Sequence, residues 1–193
     1  MCGSCRPGSI PLIALLSVLC GMCSLARGNE GTVNLSAIIA NGTCAVSVLP
    51  QNITFLPVAQ NVFTQAKKTS QIKPLVLTLD QCHGLGGGSL RAAVQVNGAM
   101  AGYDTHLFRD ADSTAKGVGI MMRAEKYTDS VDDFYNPDAA VLTGQYTHEL
   151  QSGVVPTDGT QLDYSVGFTN GNGTEEISPG DLKATLQFTF LYH

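Results

Sequence analysis

The stretch from Lys183 to His193 alternates strictly enough to dictate its own geometry. Ala184, Leu186, Phe188, Phe190 and Tyr192 fall on one face, because successive side chains of a strand point to opposite sides. The other face carries Thr185, Gln187 and Thr189, with apolar Leu191 as the exception. This period of two commits the segment to a half-buried β-strand and excludes an amphipathic helix, whose apolar residues recur every three to four positions. A chain end frays unless something ties it down, so this end is expected to be integral to the fold or to a partner.

The remainder reads the same way. The chain holds 21 Gly and 8 Pro and no Trp, and no long stretch carries a helical apolar period. Strands are expected over Thr32 to Ile39, Cys44 to Leu49, Lys73 to Leu79, Ser89 to Val96, Gly117 to Arg123, Val141 to Thr147, Gln161 to Phe168 and Asp181 to Tyr192. Loops are expected over Gly84 to Gly88, Tyr127 to Asp138 and Thr169 to Gly180. Short strands separated by turn signals such as Asn41-Gly42 describe a two-sheet sandwich. There is no internal repeat and no linker between domains.

Residues 1–28 read as an export signal. Arg6 and the amino terminus supply a weak positive region, and the apolar run from Ile10 to Cys20 is too short to span a bilayer, which takes ~20 residues. Cleavage is expected after Gly28, with Ala26 as the competing site. No later stretch is apolar enough for a membrane helix, so no direct membrane insertion is expected. Removing the leader leaves about 165 of the 193 residues, one domain with room for a real core.

Of the six cysteines, Cys2, Cys5, Cys20 and Cys23 lie in the leader. Their two C-x-x-C pairs resemble a zinc site, but the segment between them has no turn chemistry. Lipid attachment at Cys20 or Cys23 fits the preceding residues poorly. Cys44 and Cys82 remain, and an isolated pair in an exported chain reads as one disulfide. Closing that loop of about 39 residues would be worth roughly 4 kcal/mol; two buried thiols are the alternative.

Charge narrows the partners. Arg6 and Arg27 fall in the leader, which leaves nine of the 11 basic residues against 16 acidic ones, a net charge of about −7. Scattered carboxylates repel phosphate, so nucleic-acid binding is not expected. Gly86-Gly87-Gly88-Ser89 lacks the lysine and the following helix of a phosphate loop. His83, His106, His148 and His193 share no metal-ligand spacing and read as surface residues. Asp129, Asp132 and Asp133 lack calcium-loop order and read as a solvated loop. No nucleophile, base and oxyanion set is visible, so no enzyme and no cofactor is expected. Sequons at Asn34, Asn41, Asn52 and Asn172 read as chance occurrences.

Four motifs, in order, resemble the subunits of chaperone-usher fimbriae of the type 1-like kind. Gly31 to Cys44 resembles the amino-terminal extension leading into the first disulfide cysteine. Leu75-Val76-Leu77-Thr78-Leu79-Asp80-Gln81-Cys82 resembles the strand that ends in the second. Gly117-Val118-Gly119-Ile120-Met121-Met122 resembles the mid-chain Gly-x-Gly-Ile strand. Pro179-Gly180 followed by Ala184 to His193 resembles the final strand with its penultimate tyrosine.

The resemblance implies an all-β fold: an incomplete immunoglobulin-like β-sandwich that lacks its final strand and is completed by donor-strand complementation. It implies an extension over 29–43 and a pilin domain over 44–193. Val33, Leu35, Ala37 and Ile39 would be the donor-strand plugs. Leu186, Phe188, Phe190 and Tyr192 would line one wall of the groove, with the His193 carboxylate near the basic cleft of a periplasmic chaperone. The outer-membrane usher and neighbouring fimbrial subunits are the other implied partners, and a fimbria on the bacterial surface supporting adhesion is the implied destination. Ala37 stands where the family usually carries glycine. The alternative is a tip-located or secreted β-sandwich that itself binds a host glycan or protein, using an aromatic platform from Tyr103, Phe108, Tyr127, Phe134 and Tyr135. Shaft, adaptor, anchor and terminator roles stay open.

Overall fold

The computed structural model describes residues 42–84 and 89–193. The leader, the plugs Val33, Leu35, Ala37 and Ile39, and the triple glycine lie outside the described residues. The described chain forms nine strands: β1 (Gly42–Leu49), β2 (Thr69–Gly84), β3 (Ala92–Gly98), β4 (Met100–Ala101), β5 (Asp104–Phe108), β6 (Gly119–Arg123), β7 (Gln145–Thr147), β8 (Thr160–Thr169) and β9 (Leu186–Tyr192). They make two sheets, one ordered β1-β2-β8-β6-β5-β4 and the other β7-β3-β9. Every pairing is antiparallel. Among the described residues no helix is long and apolar enough to cross a membrane.

Period-two burial builds the core. Leu75, Leu77 and Leu79 of β2, Val94 and Val96 of β3, Ile120 and Met122 of β6, and Leu162, Tyr164 and Val166 of β8 meet between the sheets. Pro74 is tolerated inside the long β2 because it lies where β2 has only β8 beside it. Pairing with β1 stops at Val76 opposite Leu49, while Pro74 faces Ser165 of β8. The Tyr164 hydroxyl is satisfied in the core: it shares a 2.7 Å hydrogen bond with Thr147 Oγ1, which donates in turn to the Val94 carbonyl at 3.0 Å. Burial pushes the Tyr164 pKa up to about 12, so it stays neutral.

Cys44 and Cys82 are joined by a disulfide that ties β1 to β2, beside the register shift between Thr43 and Ala45. It anchors one edge strand of the larger sheet, which among the described residues has a single hydrogen-bonded neighbour.

Several expectations need correction. β4 and β5 escaped the sequence reading, because a two-residue strand and a strand carrying Asp104 and His106 show no apolar alternation. The strand expected over Val141 to Thr147 shrinks to β7, since Leu142, Thr143 and Gly144 form an exposed turn. Tyr127 to Asp138 is irregular as expected, yet it is not simply solvated. It folds over the outer face of the larger sheet and packs Phe134 and Tyr135 against Ala101, Leu107 and Met121. A Cβ on Gly167 of β8 would stand 2.3 Å from the Phe134 ring, so this central strand position is glycine for lack of room. His106 and His148 are half-buried rather than surface residues; the His148 ring sits edge-on to Tyr164 at 4.8 Å.

Buried Asp104 holds this outer layer. Its carboxylate accepts from the Tyr135 hydroxyl at 2.7 Å, the Asn172 N–H at 3.0 Å and the His106 N–H at 3.0 Å, and lies 2.9 Å from His106 Nδ1. Burial pushes the carboxyl up, but the donors from Tyr135, His106 and Asn172 outweigh it and hold its pKa below the usual carboxylate range. Asp104→Ala orphans these donors and is expected to cost about 3 kcal/mol of unfolding free energy, measurable by urea titration. Because the folded pKa is depressed, Asp104 stabilises fully above its unfolded value near ~3.9. That contribution is lost as the pH falls through the lower folded value. The gap between wild type and variant should therefore close in acid.

Candidate functional site: a cleft between two bare strand edges

Among the described residues β1 bonds only to β2, and β9 only to β3. Among the described residues no strand pairs with the other edge of either, although β1 and β9 come close to one another. Between them runs a cleft in two compartments. The first, of about 770 Å³, is lined by Val46 and Val48 of β1, by Ile53 and Phe55 after it, by Leu75, Ile120 and Val166 of the core, and by Leu182, Ala184, Leu186 and Phe188. The second, of about 570 Å³, continues along Phe55 to Val58, Phe63, Val118, Phe168 and Ile177 to Leu182. The floor of the cleft is thus the core itself. Val46, Val48, Ile53, Phe55, Phe168, Leu182, Ala184, Leu186 and Phe188 pack against fully buried residues yet are only partly buried. Apolar surface beside unpaired backbone N–H and C=O groups is the signature of an unfinished sheet.

Both walls are held from behind by side chains acting as substitute peptide groups. On one wall Gln71 of β2 donates from Nε2 to the Leu56 carbonyl at 2.9 Å and accepts from the Leu56 N–H at 2.9 Å. On the other, the Ser113 hydroxyl accepts from the Lys183 N–H at 3.0 Å and donates to the Lys183 carbonyl at 3.1 Å. Asp110 accepts from Thr185 N–H and Oγ1 at 3.0 and 2.7 Å. Thr114 N–H donates to the Asp181 carbonyl at 2.8 Å. These bonds explain why the strand expected from Asp181 begins only at Leu186. The preceding residues are laced to the Asp110–Thr114 loop rather than to a β-ladder.

Of the residues singled out from sequence, Leu186 and Phe188 line the cleft, and Phe188 meets Tyr164 edge-on at 5.5 Å. Phe190 packs into the core cluster and lines a separate small pocket with Leu79 and Leu162. Tyr192 stacks edge-on with Phe190 at 5.4 Å, and its buried hydroxyl has no partner among the described residues. His193 lies beyond β9, exchanges backbone hydrogen bonds with Arg91 at 2.9 and 3.0 Å, and stacks on Tyr146 at 4.0 Å. The sequence reading missed the opposite wall, Val46 to Val58, whose β1 alternation was visible but whose irregular continuation carries no period. The aromatic platform is corrected: Phe108 and Phe134 are 0% exposed and Tyr135 6%, so they serve as core and cannot meet a ligand.

Solved structures share this architecture. The rod subunit PapA of the P pilus superposes with a TM-score of 0.50 at 15% identity, covering 84% of this chain and 100% of that one. A chaperone-usher pilus structure concerned with rod uncoiling superposes at 0.53 and 14% identity, covering 88% of this chain and 99% of that one. No curated protein matches the sequence significantly. Among the described residues the fold is an immunoglobulin-like sandwich left open between β1 and β9, the architecture it shares with those pilus subunits. The profile described as Fimbrial protein matches residues 30–193, and the chain belongs to that family.

Proposed function

We propose that this protein is a structural subunit of a bacterial surface fimbria that polymerises by donor-strand exchange. The supporting observation is the cleft, where the core's apolar side chains lie uncovered between two strand edges without partners among the described residues. Such a site is completed by an extended segment whose backbone pairs with both edges and whose alternate side chains point inward. Residues 29–41 of a second copy, with Val33, Leu35, Ala37 and Ile39 on one face, have that pattern. A periodic apolar face on a segment of this length has no use in solvent.

Before assembly the same cleft needs a temporary occupant, because exposed apolar surface and open edges promote association. A strand lent by a periplasmic chaperone fills that role, the usher supplies the place of exchange, and the fimbria so built supports adhesion.

The test is complementation. A synthetic peptide of residues 29–41 added to the exported chain should raise its thermal midpoint in proportion to ln(1 + [L]/Kd). A peptide of the same composition in scrambled order should not. An unchanged midpoint with saturating native-order peptide would remove the proposal.

A further inference from the structure

Among the described residues one side-chain hydrogen bond crosses the cleft. Gln60, on the short 3-10 turn Gln60–Phe63 that ends one wall, donates from Nε2 to the Ile177 carbonyl of the opposite wall at 2.7 Å. Among the described residues it is the sole hydrogen bond between the wall that follows β1 and the wall that leads into β9. Among the described residues the first compartment, along β1, has no such bridge. Gln60 and Ile177 both border the second compartment, above Phe63 and Phe168, whose rings meet edge-on at 5.4 Å.

We propose that Gln60 is a latch that controls how fast an extended strand can occupy the second compartment. The proposal rests on the donor-strand reading and adds a rate-setting residue to it. An incoming backbone must lie between the two walls, in the space that the Gln60 side chain spans. The latch must therefore open before that part of the strand is seated. Its amide is exposed, so an opened Gln60 rebonds to water, and so does the Ile177 carbonyl. Opening is thus a modest pre-equilibrium, and the observed insertion rate is the intrinsic rate multiplied by the open fraction. Once a strand is seated the latch is already displaced, so it contributes to the barrier and not to the hold.

The experiment measures uptake of a fluorescently labelled 29–41 peptide by the exported chain, in wild type, Gln60→Ala and Gln60→Met. Methionine keeps the length of the side chain and removes the donor, which separates loss of the bridge from loss of bulk. Both variants should take up peptide faster by roughly 3- to 10-fold, the factor carried by one neutral hydrogen bond. The dissociation rate of bound peptide and the unfolding midpoint of the filled domain should stay at wild-type values. Equal uptake rates in all three proteins, or slower uptake in both variants, would overturn the latch while leaving the donor-strand reading in place. Wild type that takes up no peptide would overturn both.

Discussion

Phe188→Asp is expected to abolish cleft filling and to unfold the domain under conditions where wild type is folded. The ring stands on β9 opposite Val96, partly buried, edge-on to fully buried Tyr164. Removing it costs about 3–5 kcal/mol in transfer and cavity terms. The carboxylate that replaces it enters a wall of apolar side chains, and desolvating a charge there costs several kcal/mol more. Together these approach the ~5–15 kcal/mol that holds a whole domain folded. The control is Thr189→Asp, one residue along on the exposed face of the same strand, which should be nearly neutral. Periplasmic yield and urea unfolding read both. A Phe188→Asp protein as stable as Thr189→Asp would show that β9 does not present Phe188 to the interior.

Leu35→Asp carries the second large effect, and it falls on the partner instead of the subunit that bears it. On the donor-strand reading Leu35 enters a neighbour's cleft. The substitution forfeits about 2 kcal/mol of apolar burial and buries a carboxylate at a cost of several more. A total of about 5 kcal/mol is more than a thousand-fold in affinity. The variant should therefore fail as a donor and remain a normal acceptor, since its own cleft is unchanged. Mixing labelled variant and wild-type subunits and scoring which labels are incorporated as donor distinguishes the two roles. Undiminished donation by the variant would take Leu35 out of the insertion face. Ser36→Asp, on the alternate face, should donate normally.

These two effects complement each other because the two ends of the chain are read differently by their surroundings. Phe188 acts within its own core, so its loss appears as instability. Leu35 acts across a molecular boundary, so its loss appears only when a second subunit is supplied.

Alternation made the strands legible from residue types alone. β8 and β9 could be placed because period-two burial is local, set by the pleat. The Cys44–Cys82 bond could be placed because the one cysteine pair outside residues 1–28 allows a single connectivity. The outer face of the larger sheet was not legible. Phe134 and Tyr135 sit in a stretch with acidic residues and no period, and only the close approach to Gly167 reveals that this loop is a third packed layer. β4 and β5 failed for the same reason, since Asp104 is buried by virtue of donors from residues 135 and 172.

The sequence alone specified a disulfide-linked sandwich with a strand close to its last residues, because side-chain period and cysteine parity can be read along the chain. Which edges stay unpaired among the described residues, where the core lines the cleft, and that Gln60 reaches Ile177 across it were legible only in three dimensions. Those features depend on which distant strands fail to meet, and an unmet hydrogen bond leaves no mark in the order of residues.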